Sequence, residues 1–214
     1  MTSRIMEILR ILWGAPAKSD YLSKYVDPKL LDFMEKNPAK RRLYGDMAQL
    51  TMMAIYYDFY KQDVEMSKYV DTYVDVVDML LAREATIDYM QDSYLFAYYN
   101  YPVSIDDHEK AAVKAAVDIL GHTRKSGDKY SPCIAIHTDR FAVGNIGSPN
   151  MMNLTVSGDG KYIFRKAVNV KAAEEWKLII TDTVYSQVNL MVSTTYLDEI
   201  EHGGKRVKLY GVTA

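Results

Sequence analysis

The sequence predicts an α+β protein, with an N-terminal helical bundle followed by a mainly antiparallel, β-rich C-terminal module. Three observations carry that prediction. Apolar residues recur at helical spacing before residue 126. Short β-branched runs separated by Gly turns follow it. Thirteen of the eighteen tyrosines lie at or before Tyr101. The expected division is a helical domain at 1–125 and a β-rich domain at 126–214, or one continuous α+β domain with the same change of texture.

In the first half, Met1–Gly14 reads as an amphipathic helix, because Glu7 and Arg10 interrupt its apolar run. Asp27-Pro28 is an N-cap followed by Pro at the first helical position and opens a helix to about Lys36. Asn37-Pro38 repeats the signal and is expected to open another. From Met47 to Tyr60 only Gln49, Thr51 and Asp58 are strongly polar, so this run is expected to be a helix that is central to the bundle or lies in an interface. Met66, Val70, Val74, Val77 and Leu81 form one apolar stripe, beside an acidic stripe of Asp71, Asp75 and Asp78. Asp88 and Asp92 extend the acidic character into a further helical segment. Tyr94, Phe96, Tyr98, Tyr99 and Tyr101 crowd eight residues, as an aromatic core or as anchors of a protein interface. Ser104-Ile105-Asp106-Asp107 resembles a capping box, and the helix it opens is expected to stop at Gly121.

His122–Ser131 is the expected linker. Beyond it, Cys133–His137, Arg140–Val143, Asn153–Val156, Lys161–Lys166, Lys177–Thr181, Val188–Tyr196 and Arg206–Val212 read as strands, with one helix over Val184–Ile200 as the alternative to the strand at Val188. Ser157-Gly158-Asp159-Gly160 reads as a hairpin connection, Gly144–Pro149 as a loop, and Val170–Glu175 as a short helix.

Composition excludes several classes. Hydrophobic residues make up 49% and charged residues 25%, which is ordinary for a globular chain and not for a disordered one. No apolar stretch reaches the roughly 20 residues of a membrane-spanning helix. The net charge of −2 is uneven: residues 58–92 carry nine acids against three bases. A surface of that sign repels phosphate backbones, so any nucleic acid would meet the C-terminal part. Cys133 is the only cysteine, which excludes an internal disulfide and a multi-cysteine metal site. Its solitude fits the cytoplasm or another reducing intracellular compartment.

No catalytic or cofactor motif is complete. Gly160-Lys161 lacks the rest of a phosphate loop, since position 155 is Thr and position 162 is Tyr. Cys133 and His137 share a strand face but stand about 13 Å apart, too far for a nucleophile–base pair. The histidines have no metal-ligand spacing. Gly144-Asn145-Ile146-Gly147 matches a bare G-x-x-G but follows a strand-like run, whereas the RNA-binding loop of that form joins two helices.

Two functions follow from these features. The first is a non-enzymatic assembly or protein-interaction role, with self-association or a protein partner engaging the aromatic cluster from Tyr94 to Tyr101. The second is binding of single-stranded nucleic acid. If Lys161–Lys166 and Arg206–Val212 join one sheet, then Lys161, Arg165, Arg206, Lys208 and Tyr210 form a basic, partly aromatic face. A solvated outer sheet face is the plainer account of the same residues. An enzyme ranks below both, with no metal and no cofactor expected, because no pair of carboxylates stands out.

Overall fold

The computed structural model describes residues 26–58, 66–91, 93–126, 131–170 and 175–213. The expected helix at Met1–Gly14 and most of the one at Val170–Glu175 lie outside them. The chain divides into two compact units, 1–41 and 42–214.

In the first unit, helix α1 spans Pro28–Lys36. The Asp27 carboxylate accepts a hydrogen bond from the Lys29 N–H at 2.8 Å, and Pro28 costs nothing at the first position, where the N–H has no intrahelical partner. The second Asn-Pro signal opens only a single 3₁₀ turn, Pro38–Lys40.

The second unit is built on one eight-stranded sheet. Its strands are β1 (Tyr44–Tyr56), β2 (Thr86–Gln91), β3 (Tyr94–Tyr99), β4 (Cys133–Ser148), β5 (Met151–Ser157), β6 (Leu178–Thr181), β7 (Thr194–His202) and β8 (Lys205–Val212). The order is β2-β3-β1-β4-β6-β8-β7, with β5 paired to β4 outside that path. All pairings are antiparallel except β4 with β6, where Ile134 faces Leu178 and Ile136 faces Ile180.

This architecture corrects the expected fold class. There is no N-terminal helical bundle, because three of the strands precede residue 126 and β1 pairs with β3 on one side and β4 on the other. The apolar run from Met47 is a strand, not a helix. Leu50, Met52, Met53, Ala54 and Ile55 are each 0% exposed. A strand covered on both faces needs no polar alternation, so its sequence looks like that of a buried helix. Likewise the acidic segment at Asp88 is β2, and the aromatic run is β3.

Helices cover both faces. On one side lie α2 (Met66–Ala82), α3 (His108–Ser126) and α5 (Asp182–Val188). Tyr73, Val76 and Leu80 of α2, Ala112, Ala116 and Ile119 of α3, and Val184 and Val188 of α5 pack there on Met53, Ile55, Ile134 and Ile136. On the other side lies α4 (Gly160–Ala167), which buries Ile163, Phe164 and Ala167 against Leu50, Met52, Ala135 and Leu209. The residues of α4 were expected to be a strand. At 3.6 residues per turn, Ile163, Phe164 and Ala167 share one stripe, and that pattern prevails over the period-two reading.

The start of α3 is tied to the sheet by polar groups. Thr51 and Thr138 face each other across β1 and β4, with hydroxyls 2.6 Å apart, and Thr51 also lies 2.6 Å from Nδ1 of His108. The α3 helix does not stop at Gly121 but continues to Ser126. At the β7–β8 turn, Gly203 and Gly204 take φ of +58° and +74°, the two positive values a tight two-residue hairpin of this hand requires.

Two glycine substitutions are expected to have opposite signs. A Cβ at Gly121 meets nothing within 4 Å, so Gly121→Ala should stabilise by about 1 kcal/mol through helix propensity. A Cβ at Gly160 would come within 2.6 Å of the ring of Phe141, itself buried, so Gly160→Ala should destabilise by about 1–3 kcal/mol. Urea midpoints of the two variants check both.

Candidate functional site

The face under α4 gathers buried charge and aromatic rings. It begins at an irregularity in β2. The pairs Ile87–Ala97 and Tyr89–Phe96 leave Asp88 as the extra residue of a bulge. Bulges re-aim side chains, and here the Asp88 side chain is left only 5% exposed. Lys161, in the first turn of α4, places its ammonium 3.1 Å from Asp88 and 5.6 Å over the ring of Phe96. The backbone N–H of Val156 donates to the same carboxylate. Burial nevertheless raises the Asp88 pKa above its ordinary value, with Lys161 and Val156 opposing the rise.

Rings continue from this pair in both directions. Tyr94 stacks on Phe96 with centroids 5.5 Å apart, and Tyr56 follows at 4.8 Å from Tyr94. On the other side Phe164 lies 6.1 Å from Phe96 and 6.3 Å from the imidazole of His137.

His137 is the second buried ionisable group of this face, at 3% exposure. Its Nδ1 is 3.0 Å from the Thr181 hydroxyl, which is 2.9 Å from that of Thr183 at the start of α5. Its Nε2 points towards Asp139, whose carboxylate is 3.8 Å away. Burial lowers the His137 pKa, while Asp139, Asp182 and Asp159 oppose the change. Gly160 allows α4 to sit directly on this imidazole and on Phe141. Outside, Asp159 pairs with His202 at 3.0 Å, and His202 stacks on Tyr162 at 4.2 Å.

The expected nucleic-acid face is not assembled. Lys161 and Arg165 stand on α4, on one side of the sheet. Arg206, Lys208 and Tyr210 belong to β8, where Val207 and Leu209 point towards α4 and the alternate residues point away. Tyr210 packs instead on Tyr185 of α5, with rings 4.2 Å apart and nearly parallel at 7°. Arg206 lies 3.5 Å from Glu199. The aromatic cluster offers no open interface either: Phe96, Tyr98 and Tyr99 are buried in β3, while half-buried Tyr94 packs within the ladder and Tyr101 shares a 2.6 Å hydroxyl contact with Tyr44.

Cys133 is buried, and burial pushes its thiol up to about 11, so it is no nucleophile near neutral pH. No three His, Cys, Asp or Glu side chains converge on a metal-binding geometry among the described residues. Among the same residues, no helix is long and apolar enough to cross a membrane.

Asp88 and His137 escaped sequence reading in different ways. Nothing local links Asp88 to Lys161, which is 73 positions away. His137 and Asp139, in contrast, stand at i and i+2 on a strand and so share a face, a signal visible in His137-Thr138-Asp139.

The two groups lead to two predictions. The raised pKa means that the folded state binds a proton more tightly than the unfolded chain, so Asp88 costs stability as pH rises above the ordinary value of 3.8. Lys161→Met should therefore cost about 3 kcal/mol near neutral pH, and less in acid. Asp88→Asn should cost no more than about 1 kcal/mol and flatten the acid slope, read from urea midpoints between about pH 4 and 8. For His137 the sign is opposite. Its stability contribution is complete above the ordinary value of 6.5 and is lost as pH falls through the lowered folded value. His137→Gln should remove that loss in thermal unfolding across the same range.

No protein-family model matches the chain, and no curated protein matches it. Solved structures do. The adenylyl cyclase CyaB from P. aeruginosa superposes with a TM-score of 0.67 at 17% identity, over 80% of this chain and 97% of that one. A bacterial light-regulated adenylyl cyclase gives 0.78 at 13% identity, over 99% of this chain and 65% of that one. The guanylate cyclase domain of RhGC from Catenaria anguillulae, in complex with GTP, gives 0.62 at 16% identity, over 79% and 98%. These matches replace the expected assembly and nucleic-acid readings, and the chain has the fold of adenylyl and guanylyl cyclase domains.

Proposed function

We propose that residues 42–214 form a nucleotide-cyclase-type domain that takes a purine nucleoside triphosphate. The observation that carries this reading is the extent of the match: this chain covers 97% of the CyaB structure, a whole domain and not a shared motif. The chemistry under α4 is compatible with it. An aromatic ladder stacks flat rings, and a carboxylate beside an ammonium supplies an acceptor and a donor for the edge of a base. Asp88 and Lys161 are the residues we place at that edge. The described residues contain no three-ligand metal cage, yet magnesium that arrives with a nucleotide needs only one or two protein carboxylates. Asp58, half-buried two residues past the end of β1, is the carboxylate we assign to that task.

Self-association belongs to the same proposal. A guanylyl cyclase domain of the RhoGC fusion protein from Blastocladiella emersonii, which shares the fold with a TM-score of 0.59, is described as dimeric. In this chain, β1, β4 and β5 extend past the helices, and strand alternation places Leu43, Met47, Ile146 and Met151 on one face of that extension. They are 44%, 55%, 57% and 80% exposed. We assign this stripe to a second copy of the chain.

Mass-spectrometric detection of cyclic nucleotide after incubation with magnesium ATP or GTP tests the reading, together with fluorescent-nucleotide binding. Saturable purine triphosphate binding is expected, with turnover at least tenfold lower in Asp58→Asn. A parent protein that neither binds nor converts either nucleotide would sink the proposal. Sedimentation velocity should show a self-associated species that Ile146→Asp weakens, and a parent chain that is monomeric at all concentrations would remove the second copy.

A further inference from the structure

Of the apolar residues in the exposed stripe on β1, β4 and β5, two are methionines. Met47, on β1, is 55% exposed, and Met151, which opens β5 directly after the turn at Pro149-Asn150, is 80% exposed. Met47 faces Ala142 across β1 and β4, and Met151 faces Ser148 across β4 and β5, so both stand on the sheet face that carries Ile146. The methionines further along β1 are sealed: Met52 and Met53 are each 0% exposed. An oxidant in water therefore reaches the stripe and not the core. Met152 and Met191 are also exposed, at 38% and 37%, but Met152 alternates to the opposite face of β5, and Met191 lies past the end of α5. Cys133, the single cysteine, is buried and does not compete for oxidant.

Thioether chemistry gives that placement a consequence. An unoxidised methionine is flexible and apolar and packs adaptably against a partner surface. Hydrogen peroxide transfers one oxygen to its sulfur. An S–O bond forms, the O–O bond breaks, the sulfur loses two electrons, and the second oxygen of the peroxide leaves as water. The product is a polar, chiral sulfoxide. A free copy of the chain presents that group to water at no cost. In a contact between copies, with Leu43 and Ile146 on the same face, the new acceptor is withdrawn from water, and burying a polar group without a donor is unfavourable. Each copy brings both sulfurs, so the penalty falls on both sides of the contact.

We propose that peroxide oxidation of Met47 and Met151 reversibly switches this domain from self-associated to single copies. The switch rests on the assignment of Leu43, Met47, Ile146 and Met151 to a second copy, and goes beyond it in making that contact redox-sensitive. The sulfoxides form on the dissociated copy, where both sulfurs are open, and keep it from pairing again. Return requires a two-electron, thiol-dependent reduction that removes the oxygen as water and leaves a disulfide on the reductant.

Hydrogen peroxide is added to the full chain, peptide mass spectrometry follows each methionine, and sedimentation velocity follows association. Exposure is stopped while Met52 and Met53 are still reduced, and far-ultraviolet circular dichroism checks that the fold is retained. The dissociation constant should rise at least tenfold as Met47 and Met151 become sulfoxides. The double variant Met47→Leu with Met151→Leu keeps the apolar volume, and its association, whatever its own starting strength, should not change with peroxide. Met152→Leu with Met191→Leu should lose association with peroxide as the parent does. Methionine sulfoxide reductases with dithiothreitol should restore the oxidised parent. Undiminished association of a parent carrying both sulfoxides would overturn the switch and leave the second copy standing. So would equal peroxide sensitivity of the Met47/Met151 variant, or failure of these two sulfurs to oxidise ahead of Met52 and Met53. A parent that is monomeric before any peroxide overturns the second copy and the switch together. If the Met47/Met151 variant does not associate at all, the reductase decides, and an oxidised parent that stays dissociated after reduction overturns the switch.

Discussion

Strand β1 is sealed from water between Leu50 and Ile55, and the remainder of the 42–214 unit is arranged around that fact. Its backbone donors and acceptors are taken by β3 on one side and β4 on the other, while its side chains alternate between two cores. A strand so enclosed must have layers on both faces, because each exposed large apolar side chain would cost about 1.5–3 kcal/mol. Helices α2, α3 and α5 provide one layer and α4 the other. The threonine pair at Thr51 and Thr138 shows the same constraint acting on polar groups: at 0% and 4% exposure their hydroxyls bond to one another, and that of Thr51 also to His108.

The candidate site grows from a defect in this regular frame. A bulge at Asp88 turns a residue that period-two alternation would place elsewhere into the space under α4, where a lysine meets it. The pair is costly to bury and cheap to replace with neutral groups of the same shape, so it is a poor device for stability. Its presence is easier to understand as chemistry that the fold accommodates. The same holds for His137, which a glycine-thin helix start leaves close to α4 but short of water.

Much of the local structure was legible from residue patterns. Asp27-Pro28, the strands at Leu178 and Lys205, and the Gly203-Gly204 turn all carry short-range causes, caps, periods and positive φ, that act without tertiary context. The stripe from Met66 to Leu81 located a helix but not its buried face, since Val70 and Val74 are exposed and Tyr73, Val76 and Leu80 meet the core. The failures have separate origins. An unbroken apolar run such as Met47–Tyr56 satisfies both a buried helix and a buried strand, and only its neighbours decide. The eight residues of α4 are too few to separate a period of 3.6 from one of 2. The site was less legible still, since Asp88 and Lys161 meet only after β2 and α4 are placed, and the expected basic face failed because it assumed a strand where α4 stands.

Strand β4 carries a consequence for how this chain tolerates change. Its sixteen residues run without interruption from the core into the extension shared with β1 and β5. His137 and Asp139 face α4 from one end of it, and Ile146 faces the opposite way near the other. Side-chain direction in a strand repeats every two residues, so a single inserted or deleted residue near Cys133 would invert everything downstream. His137 would turn towards α3, and Ile146 would leave its stripe. Substitutions along β4 act one side chain at a time, whereas a shift of frame there would rewrite the buried site and the exposed face together.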